Sequence, residues 1–392
     1  MTVGRLTLLV TTAIIACGAA LAADDEAEEL THKIPPGYVP EEARDEQGLW
    51  LELEEAERHL NKSALLIRND DINAYINEIV CRVAGPYCND FRVYVIRNPH
   101  FNASMTATGM MQIWTGLIMR AGSTDEIAAV VGHEIAHYTR LHSLQRLRDI
   151  KKKMAAGTFF DIAVIALSGV DVGVGQMTAM LSALAFSREQ ETEADLLGVQ
   201  LLADASYDPH ASYTVWEKLL AEEQAAAAKR EDPGMFGKTH PEAENRASYL
   251  KALVNVRYGM PDQEKVADQK LLNVLNSNYA MLMEDQLDTN RFGRTQDLLE
   301  RHAELGVDPS LVRYFYGEMF RQRGDEGDRE LAKAAYWHSI EGGNAPPEAY
   351  KNLGYLLLKD GDTDAARINF RTYLELHPDA SDRAMIEFYL EE

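Results

Sequence analysis

The chain has 392 residues and a formal net charge of −23, with 62 acidic against 39 basic side chains. Such a surface repels nucleic-acid phosphates, which excludes nucleic acid as a partner, and it argues against docking on anionic lipid through charge alone. The length leaves room for two or three domains with a sizeable core.

Residues 1–22 read as a signal peptide. Arg5 supplies the positive charge, Leu6 to Ala16 the apolar segment, and Ala20-Leu21-Ala22 an A-x-A cleavage site. Ile14-Ile15-Ala16-Cys17 offers a second reading, a lipobox whose Cys17 would carry a lipid anchor in the bacterial envelope. Both imply export, and the apolar segment falls short of the ~20 residues that a membrane span needs. Residues 23–48 are acidic and proline-containing, and they read as a flexible lead-in.

From Leu49 to Val83 the apolar spacing is helical. With Cys17 set aside, Cys81 and Cys88 remain, seven positions apart across Gly85-Pro86. An oxidising compartment predicts a small disulfide loop between them; the alternative is Cys81 as part of the apolar run Ile76 to Val83. Phe91 to Ile96 alternates and is β-branched, which predicts a strand, with a second at Met111 to Thr115. That second strand is either an edge onto which an extended peptide could add or an ordinary central strand.

Ser123-Thr124-Asp125-Glu126 has the form of a capping box and opens a helix. The helix carries His133-Glu134-Ile135-Ala136-His137, an H-E-x-x-H motif. Positions i and i+4 share a helix face, so the two imidazoles could close on one Zn²⁺ at ~2.1 Å each, and Glu134 could act as general base on water there. A pair of hydrogen-bonded core histidines is the bland alternative, weakened by the intervening glutamate. His142 is out of register with this face and is expected on the surface.

A catalytic zinc takes three protein ligands and leaves one position open. A histidine six residues after His137 would serve, but that position is Ser143, and 151–168 supplies no glutamate. In Ser187 to Asp195 three glutamates compete. Glu191 and Asp195 fall on one mostly apolar stripe with Leu184, Gly198 and Leu202, whereas Glu193 lies almost opposite. Glu191 is therefore the expected third ligand, with Asp195 behind it to orient a histidine. A solvated acidic helix is the competing account. The intervening Ala155 to Phe186 is rich in Gly, Ala and Met, and is read as an apolar lid, a lipid- or client-contacting surface, or plain helical core.

Beyond Pro261 the texture changes to helix pairs with short polar turns. Pro347 to Ala380 forms a unit of 34 residues whose Ala349, Leu353, Gly354, Tyr355, Ala365, Phe370, Leu374 and Pro378 match the tetratricopeptide pattern. Leu311 to Pro346 reads as a degenerate earlier unit and Gln269 to Gly306 as a further helical pair. Stacked pairs of this kind present a surface for partners.

The combination of H-E-x-x-H with Ser187, Arg188, Glu191, Ala194 and Asp195 resembles the zinc metallopeptidase family of BepA-type, HtpX-type and Oma1 enzymes. Asn102-Ala103 and Gly109 to Ile118 are similar to the family's strand ahead of the zinc helix, with Met110 standing where a second glycine is common. Thr239-His240-Pro241 and Arg246 resemble its T-H-P-x-x-x-x-R element. The resemblance implies an α+β fold: a mostly helical, gluzincin-like peptidase domain with a small β-sheet over 49–258, then an all-α tetratricopeptide-like repeat domain over 263–392. It also implies one Zn²⁺ per chain on His133, His137 and Glu191, with Glu134 catalytic. His240 would be a catalytic contact or a regulatory fourth ligand, and Arg246 a supporting residue. The implied function is an exported zinc endopeptidase acting on misfolded or misassembled envelope proteins in the periplasm. Its repeats would dock outer-membrane assembly machinery, and peripheral membrane contact fits this placement. The alternative is a periplasmic chaperone or assembly adaptor with gated proteolysis.

Overall fold

The computed structural model describes residues 32–39, 44–155, 186–229, 231, 243–261 and 268–391. The stretch with helical spacing divides into α1 (Arg44–Leu60) and α2 (Asp70–Ala84), where the Asn69 side chain caps α2 by accepting the Ile72 N–H. Ile72, Ile76, Ile79, Val80 and Val83 turn one face of α2 into the core. Gly85, at φ 54°, ends the helix in a conformation that a Cβ would strain. A 3₁₀ turn follows over Gly85–Asp90, and within it Cys88 is joined to Cys81 by a disulfide.

Three strands come next, β1 (Arg92–Ile96), β2 (Ala103–Met105) and β3 (Met110–Trp114), in the order β1-β3-β2. Strand β3 runs parallel to β1, with Arg92 opposite Met110, and antiparallel to β2, with Ala103 opposite Ile113. All five residues of β3 are buried. The edge-strand reading of Met111 to Thr115 is therefore wrong. The strand that covers its far side is only three residues long, too short to show a period. Thr115 does not extend β3 but opens α3 (Thr115–Arg120), and its hydroxyl bonds the backbone of Asn98.

The site is carried by α4 (Thr124–Thr139), followed by α5 (His142–Ala155), α6 (Arg188–Asp204), α7 (Ala211–Ala228) and α8 (Ala243–Tyr258). Ser123 caps α4 by accepting the Glu126 N–H. The reciprocal half of the expected box is absent, because the Glu126 carboxylate bonds the Gly122 N–H, Thr214 and Lys218 instead. Helix α6 does open on a complete box, between Ser187 and Gln190. The backbones of α4 and α6 meet at Gly132 and Gly198. A Cβ on Gly198 would lie 3.0 Å from the His133 nitrogen, and one on Gly132 would lie 3.1 Å from the Gly198 carbonyl oxygen.

Part of the expected lead-in is packed down. Ile34 is buried, its carbonyl accepts from the Tyr87 hydroxyl, and the Lys33 N–H bonds the Thr139 carbonyl at the end of α4. A single apolar anchor in a polar stretch has no periodicity to announce it. The signal-peptide reading of 1–22, Cys17 included, lies outside the described residues, as do residues 156–185 of the segment read as a lid. No helix of the described residues is long and apolar enough to cross a membrane.

The C-terminal part is helical among the described residues: α9 (Gln269–Asp288), α10 (Phe292–Leu305), α11 (Pro309–Arg323), α12 (Asp328–Glu341), α13 (Pro347–Lys359), α14 (Thr363–Leu376) and α15 (Arg383–Glu391). Gly317 of α11 sits under the Tyr336 ring and Gly354 of α13 under the Phe370 ring, where any Cβ would collide. These helices join the first half through a buried ionic cluster. Glu222 of α7 accepts from Arg120 of α3 at 2.9 Å and from Arg301 of α10 at 2.9 Å, with Arg294 at 3.4 Å. Beside it, His302 bridges the Met119 carbonyl and the Tyr279 hydroxyl.

Candidate metal centre

Helix α4 is buried continuously from Glu126 to Thr139, so His133, Glu134 and His137 sit inside the protein rather than on a solvated face. Glu191 and Asp195 project from the neighbouring α6, which the Gly132–Gly198 approach holds against α4. The Nε2 atoms of His133 and His137 lie 3.0 Å apart. Glu191 Oε2 is 3.5 Å from the first and Oε1 3.7 Å from the second. One ligand atom from each of the three residues falls within 4.8 Å of the others. Two imidazole nitrogens and a carboxylate oxygen are a donor set that zinc accepts.

Each histidine is also held from behind. Asp195 Oδ1 lies 2.9 Å from His133 Nδ1, which directs Nε2 at the shared centre. Asp195 is in turn clasped by Arg246 of α8, through Nε at 2.8 Å and Nη2 at 2.5 Å, and by the Tyr249 hydroxyl. Arg246 Nη1 is 3.1 Å from Glu191 Oε2, and its guanidinium lies 4.1 Å over the Trp216 ring. On the other side His137 Nδ1 is 2.9 Å from His142 Nδ1, and Phe186 stacks on the His137 ring at 3.9 Å.

The electrostatics favour a cation. Burial and the Arg246 charge both work against protonated His133, yet hydrogen bonds to Asp195 and Glu191 raise it to about 9. Asp195, despite a burial penalty, is held below the ordinary carboxylate range by Arg246 and His133. Burial pushes His142 down to about 4, with its bond to Glu193 in opposition. Asp195 and Glu191 thus favour positive charge on the His133 side of a centre shielded from water, which a proton on His133 supplies here and a bound metal ion would replace.

The structure brings together His133, His137, Glu191, Asp195 and Arg246, with Glu134 buried beside His133 on the same helix. His240 lies outside the described residues. His142 is a correction: it is fully buried and touches His137. The helical register does not carry past Arg140, because Leu141 adopts φ 57° and the chain turns before α5. Glu193, facing away from Glu191 as the stripe requires, binds both His142 and Arg140. Tyr249 and Trp216 were not singled out by the sequence; Tyr249 follows Arg246 by three positions and so shares its helix face.

The sequence model of peptidase family M48 matches residues 66–254. The chain is 28% identical over 264 residues to the beta-barrel assembly-enhancing protease of Escherichia coli (strain K12), covering 64% of this chain and 53% of that protein. It is 30% identical over 179 residues to the mitochondrial metalloendopeptidase OMA1 of Schizosaccharomyces pombe, 44% of this chain and 50% of that one. To the beta-barrel assembly-enhancing protease of Yersinia pestis it is 26% identical over 212 residues, 50% and 43% of the two chains. The chain thus spans about half the length of the curated relatives it matches. Metallopeptidases of family M48 are zinc-dependent, and the donor set of His133, His137 and Glu191 agrees with that metal. From the match and the centre together, residues 66–254 are a peptidase family M48 domain.

Proposed function

We propose that the chain is an exported zinc-dependent endopeptidase that hydrolyses peptide bonds in misfolded or misassembled envelope proteins. The observation that carries the reading is the convergence of His133, His137 and Glu191 on one buried centre, with Glu134 on the same helix. Zinc held by these three side chains would supply a Lewis acid that polarises the scissile carbonyl and makes water more acidic. Glu134 takes the proton of the attacking water as the new C–O bond forms. It returns that proton to the amide nitrogen as the C–N bond breaks. Asp195 and Arg246 fix the His133 ring throughout. Glu134→Gln is expected to keep zinc bound and to abolish cleavage of casein or an unfolded client; cleavage that persists in this variant overturns the mechanism.

Envelope proteins are the substrate class in this reading because two of the relatives are named beta-barrel assembly-enhancing proteases. The helix pairs from Gln269 onward serve as tetratricopeptide-like repeats that dock a partner, such as outer-membrane assembly machinery. The Cys81–Cys88 disulfide fits the oxidising periplasm that the signal-like N-terminus implies. By its place in the T-H-P-x-x-x-x-R element, His240 gates access to the open metal position. His240→Ala is then expected to cleave clients faster than wild type. No cleavage by either protein, with zinc bound to both, favours the adaptor reading.

A further inference from the structure

The two histidines of the centre are held from behind in different ways. His133 has a carboxylate directly on Nδ1, whereas His137 has a second imidazole there. That imidazole continues to an acid. His142 Nε2 lies 3.2 Å from Glu193 Oε2, and Arg140 puts Nε at 2.9 Å and Nη2 at 2.8 Å on the same oxygen. His142 is fully buried and Glu193 is about one-third exposed, its carboxylate fixed by Arg140.

Only one arrangement of protons suits this line. With both rings neutral, the contact between the two Nδ1 atoms needs one hydrogen, from either His137 or His142. If His142 supplies it, its Nε2 lone pair faces a carboxylate oxygen with no hydrogen between them. The proton on His137 would then sit on Nε2, pointing at His133 and Glu191. If His137 supplies it, His142 keeps its proton on Nε2 and donates it to Glu193, and His137 Nε2 turns a free lone pair to the centre. A carboxylate accepts hydrogen bonds and cannot donate them, so Glu193 selects the second arrangement.

We infer that His142 and Glu193 are a positioning pair: through His142, Glu193 fixes the tautomer of His137 that can bind a metal. The inference rests on the reading of His133, His137 and Glu191 as a metal site. It gives a use to a glutamate that faces away from the centre and to a histidine outside H-E-x-x-H. Neither residue touches the metal position itself.

The test uses the full chain with two variants, Glu193→Gln and His142→Phe. Glu193→Gln keeps shape but removes the carboxylate charge, and an amide turned to put its nitrogen where Oε2 lies would donate to His142 and so reverse the line. Zinc affinity, read by competition with a chelator, is expected to fall about 10- to 100-fold in each. Long-range ¹H–¹⁵N spectra of the metal-free protein are expected to place the His137 proton on Nδ1 in wild type and to shift it toward Nε2 in Glu193→Gln. A merely structural role would lower the unfolding midpoint and leave the tautomer and the affinity unmoved. Zinc binding in both variants as tight as in wild type, or a wild-type His137 protonated on Nε2, overturns the inference. Wild type that takes up no zinc overturns the metal-site reading, and the inference with it.

Discussion

Asp195 shows how much one side chain can hold. It accepts from His133, from two nitrogens of Arg246 and from Tyr249 while almost fully buried. Asp195→Asn would leave the Arg246 guanidinium buried without its main counter-charge, a loss of roughly 3–5 kcal/mol. Urea unfolding of the metal-free protein measures this. The same variant is expected to lose about 10- to 100-fold in zinc affinity. Glu191→Ala is expected to lose zinc altogether, and Glu193→Ala only to weaken it; loss in the second alone would overturn the ligand assignment. Glu191 and Asp195 could be picked out from the sequence because both stand inside a regular helix, where a 3.6-residue period holds. His142 could not, since Leu141 with its positive φ breaks the period just before it. Tyr249 stayed hidden because a tyrosine one turn from an arginine is ordinary until the partner carboxylate is known.

Between elements, the decisive contact is α4 on α6. Gly132 and Gly198 let two helices approach until backbone meets backbone, and that approach sets the spacing between the histidines and Glu191. Gly198→Ala places a Cβ 3.0 Å from the His133 nitrogen, so the helices must part slightly. The expected result is a loss of about 1–3 kcal/mol in stability together with weaker zinc binding. If urea unfolding and chelator competition both match wild type, the close approach does not set the site. The start of α4 was legible, for its Ser123 cap lies where the sequence opens the helix; the start of α6 was not, because Ser187 caps it inside a stripe that the sequence carries back to Leu184. The sheet was half legible. Long-range pairing puts β3 in the middle, and nothing within Met110–Trp114 tells a central strand from an edge.

At the scale of the whole molecule, the ionic cluster of Arg120, Glu222, Arg294 and Arg301 fastens α10 to the half that carries the site. Glu222→Gln leaves three guanidiniums around a neutral group and is expected to cost roughly 3–5 kcal/mol. A urea midpoint equal to wild type would show that the cluster does not hold the halves together. His302 gives the same junction a pH response. Burial lowers its pKa from 6.5 to about 4. The folded state therefore binds fewer protons than the unfolded chain between these values. The contribution is complete above pH 6.5 and is lost as pH falls towards 4, at most about 3 kcal/mol. His302→Gln, which keeps a donor for the Met119 carbonyl, is expected to flatten the dependence of unfolding free energy on pH across that window. No composition or motif announces this junction, because its charges lie far apart in sequence and each reads alone as a solvated residue.

The contact between the Lys33 N–H and the Thr139 carbonyl bears on how the active helix can come apart. Helices fray from their ends, and the last carbonyls are the ones without partners of their own. Here a distant segment, anchored by Ile34, supplies a partner two residues beyond His137. Peeling that segment away would loosen the final turn of α4 first, and with it the more weakly braced of the two histidines. Residues 32–39 thus act as a latch on the reaction centre without contributing a single atom to its chemistry.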